Sequence, residues 1–330
     1  SISFRNFYSA GIHTNHGLYA TLYSFPAMMK RNLMKGSVIP RYSGLPTVLK
    51  ENGYYNLFFM THEGQYDNMN AFFRTNGYDE VFSQENYPAD KVVNSFGVQD
   101  DFLYDYAIPV LNQRAATGEP FFATLLSISN HPPYVIPPFF HPKTSEPETQ
   151  IVEYADWALR KFFEEARKQP WFDNTIFVLE GDHGKLVGDA ECELPESYNH
   201  IPLMIYSSRI HPEEKNTFGG QVDIQPTILG LLNIDYLQNN FGVDLLKEER
   251  PCMFYTADNM IVGRNDTLLY LYNYETQQEF TYHIDNGKLK AVPMDDRFLP
   301  LKEYSFSMLQ SAEFLVKHGK TVNSVPVTQQ

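Results

Sequence analysis

The 330 residues are 43% hydrophobic and 20% charged, with a formal net charge of −14. That composition excludes a disordered chain and argues against a nucleic-acid partner, whose phosphates need a basic surface. An acidic surface still admits an anionic substrate if a bound metal supplies local positive charge. Aromatic residues reach 15%, with 22 Tyr and 25 Phe, and read as core material rather than a carbohydrate platform.

In chain order, Phe7 to Asn15 reads as a strand passing into a Ser-, Gly-, His- and Asn-rich loop. Leu18 to Phe25 has helical spacing and is closed by Pro26, and Thr47 to Asn52 is a helix ended by Gly53. Tyr54 to Met60 is a buried strand, Asn70 to Arg74 a short helix and Asp100 to Ala115 a longer one. Phe121 to Ile128 is a third buried strand. Glu148 to Gln169 is an amphipathic helix with Ile151, Ala155, Ala158, Leu159, Phe162 and Phe163 on its apolar face. Thr175 to Leu179 and Ile201 to Ser207 are strands, and Ile224 to Leu232 is a helix.

Strands alternating with helices predict an α/β fold with a mainly parallel central sheet and helices on both faces. From about Met253 the pattern changes. Leu268 to Asn273, Glu279 to Ile284 and Lys288 to Val292 form a small antiparallel meander with Asp285-Asn286-Gly287 as a hairpin turn, followed by a helix over Ser307 to His318. The domain reading is 1–250 for the main domain and 251–330 for the meander and helix packed on it. Cys192 and Cys252 have no metal-binding spacing and either pair or stay free. No apolar stretch is long enough to span a bilayer, and no signal peptide opens the chain, which starts abruptly at Ser1 without Met and reads as a fragment.

Four strand-to-loop junctions carry chemistry. Glu180-Gly181-Asp182-His183-Gly184 follows the apolar run Thr175 to Leu179, placing a carboxylate and an imidazole where open α/β sheets bind ligands. Asp oxygen with His nitrogen suits zinc or manganese. In Gly11-Ile12-His13-Thr14-Asn15-His16-Gly17, Thr14 stands just ahead of a helix, either as its N-cap or as a nucleophile whose hydroxyl a divalent metal helps to ionise. Ser129-Asn130-His131-Pro132-Pro133-Tyr134 and Asn199-His200-Ile201-Pro202-Leu203 each offer a His, which either bonds its own loop or serves a substrate. Thr, Asp and three His at strand ends together suit metal-assisted transfer at phosphorus.

The order of these motifs resembles the sulfatase-like branch of the alkaline phosphatase superfamily, and within it the lipoteichoic acid synthase type of phosphoglycerol transferase. Asn6 to Thr14 is similar to the family's nucleophile segment, and Phe72-Phe73-Arg74-Thr75-Asn76-Gly77-Tyr78-Asp79 to the turn after its substrate loop. Gly97-Val98-Gln99-Asp100-Asp101, Ser127 to Tyr134, Gly181 to Gly184 and Val222-Asp223-Ile224-Gln225-Pro226-Thr227 match further elements in family order. The likeness runs over about residues 4 to 250.

The resemblance implies Thr14 as nucleophile and metal ligand, with Asp182 and His183 as the other ligands of a divalent Mn2+ or Zn2+. It implies that His131 contacts the substrate phosphate or serves the leaving group. Asn130, His200 and His62 are further substrate-binding candidates. The implied reaction moves a phosphorylated head group, of phosphoglycerol or phosphoethanolamine type, from a phospholipid to a glycan or lipid acceptor through phospho-threonine. The implied setting is periplasmic or extracellular, anchored to the membrane through N-terminal helices. The alternatives are a phosphodiesterase or sulfatase-family hydrolase, and a non-catalytic glycan- or lipid-binding relative.

Two departures stand out. The family's first strand carries an acidic metal ligand a few tens of residues before the Thr, whereas only thirteen residues precede Thr14, so that strand is expected either to be missing here or to be replaced by another segment. Where glycerol-phosphate enzymes place a Trp and an Arg, Tyr66-Asp67-Asn68-Met69 stands instead. Sulfatases proper use a Cys or Ser oxidised to formylglycine. Thr14, followed by Asn15-His16-Gly17, cannot be converted in that way.

Overall fold

The computed structural model describes residues 1–323. Strand β1 (Ile2–Tyr8) leads into α1 (Thr14–Tyr23), then α2 (Leu45–Glu51), β2 (Tyr55–Met60), α3 (Met69–Thr75), β3 (Glu80–Phe82), α4 (Asp100–Ala115), β4 (Phe121–Leu126) and α5 (Pro147–Ala166). There follow β5 (Phe177–Glu180), β6 (Leu203–Tyr206), β7 (Glu213–Gly220) and α6 (Ile224–Leu231). Strands β8 (Met253–Thr256), β9 (Met260–Arg264), β10 (Leu268–Asn273), β11 (Gln278–Asp285) and β12 (Lys288–Ala291) precede α7 (Leu299–Lys317). The contacts divide into two compact units, Pro46–Thr175 and the combination of Ser1–Leu45 with Ile176–Gln330.

The unit Pro46–Thr175 holds an all-parallel sheet in the order β3-β2-β4. Central β2 buries Leu57, Phe58, Phe59 and Met60 in succession, as a strand covered on both faces must. Phe58 stacks on Phe73 of α3 at 4.1 Å. Helix α5 buries Ile151, Tyr154, Ala158, Phe162 and Ala166 at helical spacing. It packs on α4 through Tyr104 and Phe162 (5.2 Å) and through the Tyr154 hydroxyl, which donates to Asp101 Oδ1 at 2.5 Å.

The other unit is built on the sheet β5-β6-β1-β7, where β1 runs antiparallel to β6 and parallel to β7, with a bulge between Phe4 and Asn6. Among the described residues, strand β5 lies at the edge and pairs with β6 alone. The meander β8 to β12 is antiparallel throughout and shares its core with β1 and β7: Tyr8 stacks on Tyr255 at 5.5 Å, within a cluster containing Phe218, Met253 and Val262. Asn286 and Gly287 both take positive φ (49° and 75°), as a two-residue hairpin turn requires. Buried Arg250 grips Asp223 through Nε and Nη2 at 2.6–2.9 Å and donates to the Phe241 carbonyl and the Tyr304 hydroxyl, tying the start of α6 to α7.

The α/β class, parallel sheet, antiparallel meander and C-terminal helix are those expected. Three boundaries differ by four residues or more. Strand β1 spans Ile2–Tyr8 rather than starting at Phe7, and α1 starts at Thr14 rather than Leu18. Helix α7 starts at Leu299 instead of Ser307, because Pro300 falls in the first turn, where its missing N–H costs nothing. The meander has five strands, two more than expected, and β7 adds a strand to the main sheet. Cys192 and Cys252 are both free thiols.

Candidate functional site

After β1 the chain is pinned by a buried amide. Asn199 Nδ2 donates to the carbonyls of Ser9 and Gly11 (both 3.3 Å), and the Ser9 N–H returns a bond to the Asn199 carbonyl at 2.7 Å. The chain then reaches His13, whose extended backbone (φ −130°, ψ 147°) caps α1, so Thr14 is the first helical residue and not the cap. Its half-buried hydroxyl makes no hydrogen bond among the described residues. It stands at the positive end of the helix dipole, which favours negative charge there. His13 bonds outward instead, with Nε2 donating to Asp258 Oδ1 at 2.6 Å.

One face of α1 lies along the end of β5. Thr21 Oγ1 donates to Glu180 Oε1 at 2.6 Å. Gly17, one turn earlier, comes so close to the next residues that a Cβ there would stand 2.4 Å from the Asp182 carbonyl oxygen. Only glycine permits that approach. Thr14, one further turn back on the same face, is thereby carried toward the end where Asp182 and His183 emerge. Gln221 locks the arrangement: its Oε1 accepts the Ala10 N–H at 2.8 Å, while Nε2 donates to the carbonyls of Asp182 (2.8 Å) and Gly181 (3.1 Å). Burial pushes the Glu180 carboxyl up to about 8, with the Thr21 bond opposing and the Asp182 charge reinforcing the rise.

His183 Nδ1 lies 2.7 Å from the Gly184 carbonyl, which can only accept. The ring proton therefore sits on Nδ1, and in the neutral ring the lone pair is on Nε2, 3.6 Å from Asp182 Oδ2. A backbone acceptor that orients the ring in this way is the usual support of a metal-binding histidine. The two side chains, both partly exposed, fit a divalent cation as a partial set with the Thr14 hydroxyl. Among the described residues no group of three or more His, Cys, Asp or Glu side chains is gathered to hold a metal.

The remaining candidates sit as follows. In the same unit, His200 donates from Nε2 to the Arg5 carbonyl at 2.6 Å and stacks on Tyr8 at 5.1 Å, which leaves Nδ1 to carry any substrate contact. In the unit Pro46–Thr175, His131 Nδ1 donates to the Pro132 carbonyl at 2.7 Å and its ring rests on Phe96 at 4.1 Å, leaving Nε2 for a ligand. Asn130 beside it is exposed. Fully buried Asp100 accepts the N–H groups of Ile128 and Ser129 on one oxygen, both at 2.9 Å, and so fixes the loop that carries them. Burial raises its carboxyl, and those two bonds oppose the rise. His62 is buried, with Nδ1 3.1 Å from the Glu63 carbonyl and Nε2 lacking a partner among the described residues. Tyr66 covers it at 4.6 Å between ring centres. Burial lowers the His62 pKa, against the pull of the Glu63 carbonyl and of the Asp67, Glu85 and Glu63 charges. Asp67 and Asn68, in the loop that follows, both take left-handed backbone (φ 50° and 63°), which is strained for residues with a Cβ.

Sequence reasoning missed Gln221, Asn199, Asp258 and Asp100 as positioning groups. Asp100 and Asn199 stand within motifs already noted and Gln221 beside one, whereas Asp258 had no such signal.

A family model described as Sulfatase matches residues 1–234. Lipoteichoic acid synthase 1 of Bacillus subtilis is 26% identical over 274 residues, covering 76% of this chain and 41% of that protein. The lipoteichoic acid synthase of Staphylococcus aureus is 24% identical over 242 residues, covering 63% and 35%. The chain thus spans about two fifths or less of the length of these curated relatives. Among solved structures, an alkaline phosphatase superfamily protein from Vibrio parahaemolyticus aligns with TM-score 0.88 and 26% identity, over 98% of this chain and 80% of that one. The lipoteichoic acid synthase LtaP from Listeria monocytogenes aligns with TM-score 0.82 and 21% identity, over 96% and 83%.

Proposed function

The chain belongs to the sulfatase family, and on that premise we propose that it is the catalytic domain of a metal-dependent phosphotransferase using Thr14 as its nucleophile. The observation that carries this reading is the alignment of α1 with the end of β5, through Thr21–Glu180, Gly17–Asp182 and Gln221, which directs Thr14 toward Asp182 and His183.

Thr14 Oγ attacks the phosphorus of a phospholipid phosphodiester, forming one P–O bond as the bond to diacylglycerol breaks. The threonine proton ends on the departing diacylglycerol hydroxyl. An acceptor hydroxyl on a glycan or lipid then attacks the phospho-threonine, and its proton returns to Thr14 as that P–O bond breaks. The start of α1 favours the negative charge that develops at phosphorus in both steps. A divalent manganese or zinc ion held by Asp182, His183 and the Thr14 hydroxyl supplies, when bound, the Lewis acidity that favours deprotonation of that hydroxyl. His131 and Asn130 serve the substrate phosphate in this reading, with His200 Nδ1 and His62 as further substrate contacts.

Lipid donor and acceptor place the domain outside the cytoplasm, attached to the membrane through N-terminal helices. No helix among the described residues is long and apolar enough to cross a membrane.

The test is intact-mass spectrometry of the full-length protein after incubation with phospholipid and manganese or zinc, with Thr14→Ala as control. The expected result is a phosphorylated head-group adduct on the native protein and none on the variant. Absence of any Thr14-dependent adduct with either metal, across several head groups, would overturn the reading.

A further inference from the structure

We propose that Gln221 is a positioning residue that holds the nucleophile segment and the Asp182-His183 segment in register through one side-chain amide. This rests on the reading of Thr14 as nucleophile and of Asp182 and His183 as metal ligands.

Gln221 is wholly buried and uses both ends of its amide. The oxygen accepts from Ala10 N–H, four residues before Thr14, and the nitrogen donates to Gly181 and Asp182 oxygens. These three segments are separated by about 40 to 211 positions in the chain. Each backbone group is polar and would be costly to bury without a partner. The amide is suited to the task because it offers an acceptor and two donors on one rigid plane. A carboxylate would keep the Ala10 bond but repel the two carbonyl oxygens. An apolar side chain of similar size would fill the space and hold neither segment.

Gly17 makes the clamp tight. A Cβ there would also approach Gln221 Nε2 to 3.0 Å, so α1, the Asp182 carbonyl and the Gln221 amide meet with no room for one more carbon. With the Asp182 carbonyl fixed, the Asp182 carboxylate and the His183 ring start from a fixed backbone. With Ala10 fixed, the loop that leads to Thr14 does so too. Gln221 touches neither reacting atom and acts through the backbone it holds.

The test uses the full-length protein with Gln221→Met, Gln221→Glu and, independently, Gly17→Ala. Two quantities are read on variants shown to be folded by near-ultraviolet circular dichroism. The first is the Mn2+ dissociation constant from electron paramagnetic resonance of the free ion. The second is the single-turnover rate of Thr14 adduct formation, with the lipid KM measured alongside. The Gln221 variants are expected to weaken Mn2+ binding roughly tenfold, as loss of a ligand-orienting group typically does. They are also expected to slow adduct formation by on the order of a hundredfold, with KM changed less than about twofold, the pattern of misplaced reacting groups. Gly17→Ala is expected to move both quantities in the same direction. Folded Gln221 variants with native Mn2+ affinity and native adduct rate would overturn the proposal. If Gln221→Met does not fold, Gln221→Glu and Gly17→Ala decide it by the same readouts. Should no Thr14 adduct form even in the native protein, the nucleophile reading fails, and Mn2+ affinity still judges the clamp.

Discussion

His13, the residue that caps the helix bearing Thr14, donates from Nε2 to Asp258 Oδ1 at 2.6 Å. Asp258 lies in the turn between β8 and β9, beyond residue 234, where the family match ends. The C-terminal meander therefore reaches the segment that carries Thr14 directly. Both side chains are about half exposed, so the pair itself adds only about 0–1 kcal/mol to stability. Asp258→Ala is expected to leave the urea midpoint nearly unchanged. The start of α1 loses its outer anchor, and adduct formation at Thr14 is expected to slow by roughly tenfold. An unchanged single-turnover rate would show that the meander has no part in the site.

The Asp223–Arg250 pair behaves in the opposite way. Both groups are buried, and Asp223 also accepts the N–H groups of Gly220 and Val243, each at 2.9 Å. Removing one partner strands a charge in the interior, which costs about 3–5 kcal/mol. Asp223→Leu or Arg250→Met alone should lower stability in urea by that amount. The double variant should recover part of the loss, because neither charge is left unpaired. A double variant as unstable as the sum of the singles would contradict this account.

Parts of the fold were legible from the sequence because local pattern and tertiary role agree. Helix α4 and strand β10 occupy the ranges expected from periodicity alone. The first turn of α1 was not legible. Thr14-Asn15-His16-Gly17 contains poor helix formers, and the turn is retained by the approach of Gly17 to Asp182. Strand β7 reads as Glu-Glu-Lys-Asn-Thr-Phe-Gly-Gly, with little intrinsic strand preference, and is held by its parallel pairing with β1. Thr14, Asp182 and His183 stood out as candidates because their side chains have distinctive chemistry at element ends. Gln221 and Asn199 could not, because a buried amide has no signature until the fold brings distant backbone groups to it.

His62 supplies a test of pH dependence. Its pKa is lowered from the usual 6.5 chiefly by burial, so as pH falls the unfolded chain takes up the proton first. The stability this residue contributes is complete above about pH 6.5 and is lost as pH drops toward the folded pKa, at up to about 1.4 kcal/mol per pH unit. Nuclear magnetic resonance should place its midpoint below the usual 6.5. In His62→Gln the corresponding acid-side slope in unfolding free energy should disappear. A midpoint at or above 6.5 would mean that the imidazole is not sequestered as the geometry implies.

Metal removal tests the other half of the site. With His183 Nδ1–H held by the Gly184 carbonyl, Nε2 is the nitrogen free to bind a cation beside Asp182 Oδ2. Chelation with EDTA is expected to abolish Thr14 adduct formation in the full-length protein, and manganese or zinc to restore it. Asp182→Asn keeps the shape but removes the charge, and His183→Gln removes the imidazole. Each is expected to weaken Mn2+ binding by at least about tenfold, on the order of what loss of even a supporting group costs a metal site. Calorimetric titration of the three proteins with Mn2+ checks this. Native affinity in His183→Gln would remove His183 from the ligand set and with it the pairing on which the metal reading stands.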